Sequence, residues 1–483
     1  MLARPLAGHR EKISIFRAAL RLARPCRARC GDARGSAQGL HDSSSTTRPV
    51  HLRSPAMIEA VPDSLLLRTE ARVLFLTAAG DAGQHALRPL LQQPLDWAYL
   101  REIGAIEGAH PELGRRIRAA DPTAMPAEAG ESWNAVERLA GFRMAHLEQR
   151  LHDALALLGE ARIPVVVLKG AALALAVDRS FQARPMSDVD VLLRPEDAQR
   201  AWQALQQADW MSLDLDPCMQ RIYARKHHLP PLFDARAPTL EVGLELHTEL
   251  FSTFRSPFRL DAEAIWRTAV GGHDLPSHVR VPDPEHMLLH CCLHFAWSHL
   301  LRKGAWRTVH DIATLSCRGA IDWQRFEHLA RATNGASACF WSLRMAELLG
   351  GVPMPAGLLA SLRPASSRRL STAFERHFVQ EALATEARCP SGHLRRALWV
   401  MAMRPRGNGH GSRRPWTAGI PDEDENGTDT AGPLPSKQTA RAWAGPGRLL
   451  AWAGYLTSLS RAGSDERTRA VASPAVPSAS RQA

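Results

Sequence analysis

The sequence predicts an α+β fold, a small mixed β-sheet flanked by helical regions on its N- and C-terminal sides. Three observations carry that reading. Apolar residues recur at i, i+3 and i+4 through 63–160 and again through 261–385, the period of helices buried on one face. Between them, residues 164–250 switch to short runs of β type. Both patterns fade in 1–56 and after about 403.

Taken in order, 57–162 forms the N-terminal helical region, with helices over 65–78, 96–109, 111–120 and 133–161. Asp96 and Pro111 stand where caps and first turns favour them. The sheet region, 163–250, places strands over 164–168, 187–193, about 210–215, 222–229 and 239–248. A helix over 195–208 interrupts them, opening on Pro-Glu-Asp, a favourable first turn. The C-terminal helical region, 251–402, carries helices over 283–302, 305–316, 322–332 and 337–349. Residues 403–483 are rich in Gly, Pro, Ser and Arg and are expected to be largely disordered, apart from a helix around 447–462. Residues 1–56 are basic and poor in acids, which suits a transit peptide or a translated leader ahead of a start at Met57; the second is preferred, because the Ala/Arg/Leu/Pro bias runs through the whole chain.

The net charge of +11 belongs to the ends: +8 lies in 1–56 and +4 in 403–483, leaving 57–402 close to neutral. A nucleic-acid groove in the folded centre therefore gains no support from composition. The eight cysteines show no secreted-type framework and suit reduced thiols in a cytoplasmic setting. No apolar run approaches the roughly 20 residues of a membrane-spanning helix.

Chemistry concentrates in Val165-Val-Val-Leu-Lys-Gly170 and Arg184-Pro-Met-Ser-Asp-Val-Asp190. Asp188 and Asp190 are two apart, so on a strand both side chains leave the same face. Carboxylates held that close repel unless a cation separates them, and all-oxygen ligands suit Mg²⁺. The turn at Gly170 into a helix offers free backbone N–H groups to a phosphate. Together these parts describe a metal–triphosphate site. Farther on, alternation in Leu240-Glu-Val-Gly-Leu-Glu-Leu-His247 sets Glu241, Glu245 and His247 opposite the apolar residues, giving two candidates for a third acid.

These residues, with Leu168-Lys-Gly-Ala-Ala-Leu173 and Leu244-Glu-Leu-His247, resemble the uncharacterised bacterial nucleotidyltransferase family of the DNA polymerase β-like superfamily, over roughly 60–350. The resemblance implies a Mg²⁺-dependent enzyme that moves a nucleoside monophosphate from an NTP to a hydroxyl or phosphate acceptor and releases pyrophosphate. It implies Glu245, which matches the acid before His, as the third ligand beside Asp188 and Asp190, holding two Mg²⁺ ions; Glu241 is the alternate. Lys169, Gly170, Ala171, Arg184 and Ser187 then become the nucleotide-binding candidates. Arg184 could equally salt-bridge one of the aspartates and order its loop. The chain departs from the superfamily in having Ala171 rather than Ser or Gly after the turn glycine. The acceptor, whether small molecule, sugar or peptide, is not specified by any motif. Competing readings are a non-catalytic nucleotide-binding scaffold and a toxin/antitoxin-type enzyme acting on RNA or protein.

His286, His290 and His294 recur at i, i+4 and i+8 beside Cys291 and Cys292. That spacing can bring two imidazoles to one zinc, but without HExxH a helix–helix contact or a cleft lining is preferred. His310-Asp311 is expected to bond across to this face.

Overall fold

The computed structural model describes residues 67–212, 223, 226–251, 256–272, 274–404 and 450–459. The leader, 405–449 and 460–483 lie outside them; of the segment expected to be a strand over 222–229, the described residues 226–229 form no strand and hold only an isolated bridge from His228 to His247.

Five helices precede the sheet: α1 (Thr69–Ala78), α2 (Gln84–Leu91), α3 (Trp97–Ile106), α4 (Glu112–Ala120) and the 34-residue α5 (Ala127–Glu160). Next come β1 (Val165–Val167), α6 (Lys169–Leu173), β2 (Asp188–Leu192), α7 (Pro195–Gln206), β3 (Trp210–Ser212), β4 (Leu232–Asp234), β5 (Gly243–His247), α8 (Ala262–Thr268) and β6 (Val279–Arg280). Helices α9 (Pro284–Trp297), α10 (Ala305–Arg318), α11 (Trp323–Ala332), α12 (Ala336–Gly350), α13 (Leu358–Leu362), α14 (Arg368–Glu381) and α15 (Gly392–Ala402) follow. A further helix spans 450–459. Asp96 caps α3 by accepting from Tyr99 N at 2.9 Å, as its position predicts.

The six strands run in the order β3-β4-β5-β2-β1-β6. β2 is parallel to β5 and antiparallel to β1, so the sheet is mixed. At its centre β2 and β5 pair in register, with Asp188 opposite Gly243, Asp190 opposite Glu245 and Leu192 opposite His247. Val189, Val191, Leu244 and Leu246 are buried, each worth about 1.5–3 kcal/mol, and they fix that register.

Two differences from the sequence reading matter. Residues 238–240 form a 3₁₀ turn and Glu241 takes φ of 49°, a left-handed conformation that ends the alternation before the strand begins at Gly243. Glu241 is therefore exposed and outside β5. And β4 and β6, of three and two residues, are strands that periodicity did not reveal.

Helix α5 ties the flank to the sheet edge. Arg150 Nε lies 3.0 Å from Asp234 Oδ1 and His146 Nε2 lies 2.7 Å from Asp234 Oδ2, with Asp234 buried in β4. The Arg150 guanidinium also rests 4.7 Å from the centre of the Trp210 ring in β3. On the other flank, Trp306 is fully buried and donates to Thr77 Oγ1 at 3.1 Å, while Trp297 and Phe326 are buried as core residues. No described helix is long and apolar enough to cross a membrane. Cys291, Cys292, Cys317, Cys339 and Cys389 are free thiols.

Candidate active site

The parallel register of β2 and β5 sets Asp190 beside Glu245 on adjacent strands. Asp188, one pleat earlier on the same face, is half-buried, and its Oδ1 accepts from Ser187 Oγ at 3.0 Å. Sequence and structure agree on bringing these three acids to one sheet face.

What surrounds Asp190 was less visible. β1 ends by sending Leu168 N to Asp190 O at 2.9 Å, and Lys169 then takes φ of 49°. That left-handed turn folds the lysine back, so its Nζ sits 2.6 Å from Asp190 Oδ1. His247, the last residue of β5, directs Nε2 to Asp190 Oδ1 at 2.8 Å and to Glu245 Oε2 at 3.4 Å. Sequence alternation placed His247 on this face without giving it a role; its position two residues after Glu245 was the available signal. Asp190, Glu245 and His247 form a group whose ligand atoms all lie within 4.8 Å, the one such group among the described residues.

The charges follow the geometry. Burial pushes the Asp188 carboxyl up from its ordinary range, and the neighbouring Asp190 charge pushes it further. Burial would also raise Asp190, but Lys169 and the His247 hydrogen bond outweigh it and hold that carboxyl well below its usual range. Glu245 is held down against burial by His247. His247 in turn is raised, burial being overcome by its bonds to the two carboxylates. Among the described residues Asp188 makes no ion pair, so the three acids carry more negative charge than Lys169 and His247 neutralise. That imbalance and the oxygen donors fit a divalent cation such as Mg²⁺. The imidazole is a ligand type more at home on softer divalent ions.

Arg184 does not pair with Asp188 or Asp190, as one sequence reading had it. It forks onto Asp311 of α10, Nε to Oδ1 at 2.5 Å and Nη2 to Oδ2 at 2.9 Å. Asp311 therefore does not bond to the histidine face, and His310 stacks instead on Trp306 at 5.3 Å. The Arg184 guanidinium lies over Gly170, where an added Cβ would meet Nη1 at 2.0 Å. Glycine stands here because the arginine occupies the space. The first bond of α6 runs from Ala172 N to Leu168 O at 3.2 Å, so the amides of Gly170 and Ala171 precede it.

The histidines of α9 separate. His286 turns onto its own cap, Nδ1 at 2.9 Å from Asp283 Oδ1. His290 packs on Phe251, is held neutral by burial and by the Lys169 charge with a pKa lowered to about 3, and leaves a buried Nε2 unpartnered in its surroundings. The three do not assemble a metal cluster among the described residues. Instead, the rings of His227 and His228 each lie 5.3 Å from that of His247, a histidine lining that the sequence reading missed.

A model of the family described as "Uncharacterised nucleotidyltransferase" matches residues 93–351, a span that takes in all six strands and every residue described above as belonging to the site. No curated protein matches the chain, and no solved structure does.

Proposed function

The chain belongs to the uncharacterised nucleotidyltransferase family and is a nucleotidyltransferase, and from that premise we propose that it moves a nucleoside monophosphate from an NTP to a hydroxyl or phosphate acceptor, with release of pyrophosphate. The observation that carries this reading is the in-register pairing of Asp190 with Glu245, one pleat from Asp188, in a setting with too few cations to neutralise them. Asp188, Asp190 and Glu245 would hold Mg²⁺, two ions in the full arrangement. When bound, Mg²⁺ supplies charge neutralisation for the triphosphate and lowers the pKa of an acceptor hydroxyl.

The protein's own groups do the positioning. Lys169 and His247 grip Asp190, and His247 reaches Glu245, so two carboxylates from separate strands are fixed in one orientation. Ser187 orients Asp188 through its hydroxyl. Arg184, clamped by Asp311, seals the turn at Gly170 and adds positive charge behind the amides of Gly170 and Ala171. Such fixed dipoles and charges favour a phosphoryl transition state without reorganising during the reaction.

Thermal unfolding of the full chain with each of the four NTPs, with and without Mg²⁺, beside Asp188→Asn, tests this function. A ligand at about 100 times its Kd adds about 2.7 kcal/mol. A rise in midpoint that needs both NTP and Mg²⁺ and is lost in the variant is the expected result. Equal midpoints with and without every NTP would leave a scaffold whose acids bind no nucleotide.

A further inference from the structure

We infer that the triphosphate is gripped by two arginines from opposite helical flanks, Arg143 of α5 and Arg307 of α10, rather than mainly by the cations of the glycine turn. This rests on the nucleotidyltransferase reading above and adds the residues that recognise the polyphosphate.

The cations nearest the turn are already committed. Lys169 is bonded to Asp190 and Arg184 is forked onto Asp311. Arg143 and Arg307 differ: among the described residues neither makes an ion pair, and each donates to a backbone carbonyl. Arg143 Nη2 reaches Glu241 O at 3.2 Å, and Arg307 Nε reaches Glu107 O at 3.2 Å.

Both stand on elements that frame the acidic site. Around Arg143, α5 runs along the loop that leads into β2: Gln182 Nε2 donates to Gly141 O at 3.1 Å, and Met186 N lies 3.1 Å from Met144 Sδ. The carbonyl it holds, at Glu241, is two residues before Gly243, the partner of Asp188 across the strands. Arg307 precedes Asp311 by four residues, so the two share one face of α10, and Asp311 is the residue that clamps Arg184. Burial lowers the proton affinity of both arginines, opposed first by Glu241 at Arg143 and by Glu107 at Arg307 and then, at each, by the Asp188 charge. Half-buried guanidinium groups with no carboxylate at ion-pair distance among the described residues, on elements that frame an acid expected to hold metal, suit an anion that arrives with that metal. A nucleoside triphosphate meets that description. Its phosphates would rest between the flanks, while the base remains unspecified by these residues.

The test uses the full chain and the variants Arg143→Gln, Arg307→Gln, Arg143→Lys and Arg307→Lys. Binding of inorganic pyrophosphate and of each NTP is measured by calorimetry with Mg²⁺ at two salt concentrations, and melting without ligand is recorded in parallel. Each Gln variant is expected to weaken both ligands by roughly 10- to 100-fold, the loss of a charge-assisted bond, with a shallower salt dependence and an unchanged unliganded midpoint. The Lys variants recover part of the affinity. If the wild type binds and the Gln variants bind equally well, the arginine grip is wrong and the nucleotidyltransferase reading stands. A Gln variant that loses affinity only because it no longer melts as a folded protein, with no recovery by Lys, also overturns the grip. If the wild type binds neither pyrophosphate nor any NTP, both readings fall together.

Discussion

Replacing Gly170 by Ala is the sharpest probe of how the turn is built. The residue has no left-handed backbone to protect, so on conformational grounds alone alanine gains up to about 1 kcal/mol in a helix. The space says otherwise. An added Cβ would stand 2.0 Å from Arg184 Nη1, 2.6 Å from its Cζ and 2.7 Å from Met186 Sδ. An exposed arginine would swing away, but this one is held by two bonds to buried Asp311. Either the turn shifts, at the roughly 1–3 kcal/mol typical of overpacking, or the ion pair breaks, at about 3–5 kcal/mol. After the propensity gain a net loss of about 2 kcal/mol or more is expected if the pair breaks. Chemical denaturation of the full chain measures it, and a double-mutant cycle with Arg184→Ala assigns it. Without the guanidinium, only flexible Met186 crowds the new methyl, so the same substitution there should cost under about 1 kcal/mol. A Gly170→Ala protein more stable than the wild type, or the same loss in both backgrounds, would refute the idea that Arg184 is locked over the turn.

Three further outcomes are expected. Asp188→Asn should abolish transfer while leaving stability equal or slightly higher, since burial and Asp190 already disfavour that charge; retained activity in a pyrophosphate-release assay would remove Asp188 from the mechanism. Glu245→Gln should behave likewise, whereas Glu241→Gln, exposed and outside the strand, should be mild, and the reverse ranking would reassign the third acid. Stability should fall as pH drops from 7 to 5.5. Burial lowers His110 to about 4, His290 to about 3 and His377 to about 4, so the unfolded chain takes up protons near 6.5 that the folded one refuses. Each costs about 1 kcal/mol over that interval. Two raised groups work in the opposite sense: His247, its contribution being full below 6.5 and lost as pH rises through the folded value, and Glu107, which burial raises to about 7 so that the folded chain takes up its proton over this interval. The lowered histidines, which also include His227, His228, His294 and His299, outnumber them. Melting curves at constant ionic strength that do not shift between those pH values would contradict the buried neutral state.

The parts of the site that could be read from the chain are those with local periodicity. Asp188 and Asp190 declare a shared face through their spacing, and the alternation around Glu245 declares its strand. The same alternation misled at Glu241, where the backbone turns left-handed after Pro238; a proline before and a glycine after were the warning. β4 and β6 were missed because strands of three and two residues are too short to show a period. The Arg184–Asp311 clamp spans 127 positions and could not be chosen from sequence over the nearer aspartates. His247 carried a face but no partner until the parallel register set Asp190 next to Glu245.

Helix α5 has a practical consequence for anyone trimming this protein. A fragment starting at 163 would look like a tidy minimal catalytic piece. It would, however, strip Arg150 and His146 from Asp234, leaving a carboxylate inside the sheet edge with neither of those partners. Stranding a buried charge costs about 3–5 kcal/mol, a large share of what holds an ordinary domain together. The shortest expressible form should therefore begin upstream of Ala127, and a library of N-terminal truncations should show a cliff in yield as the cut passes His146 and Arg150 rather than a gradual decline.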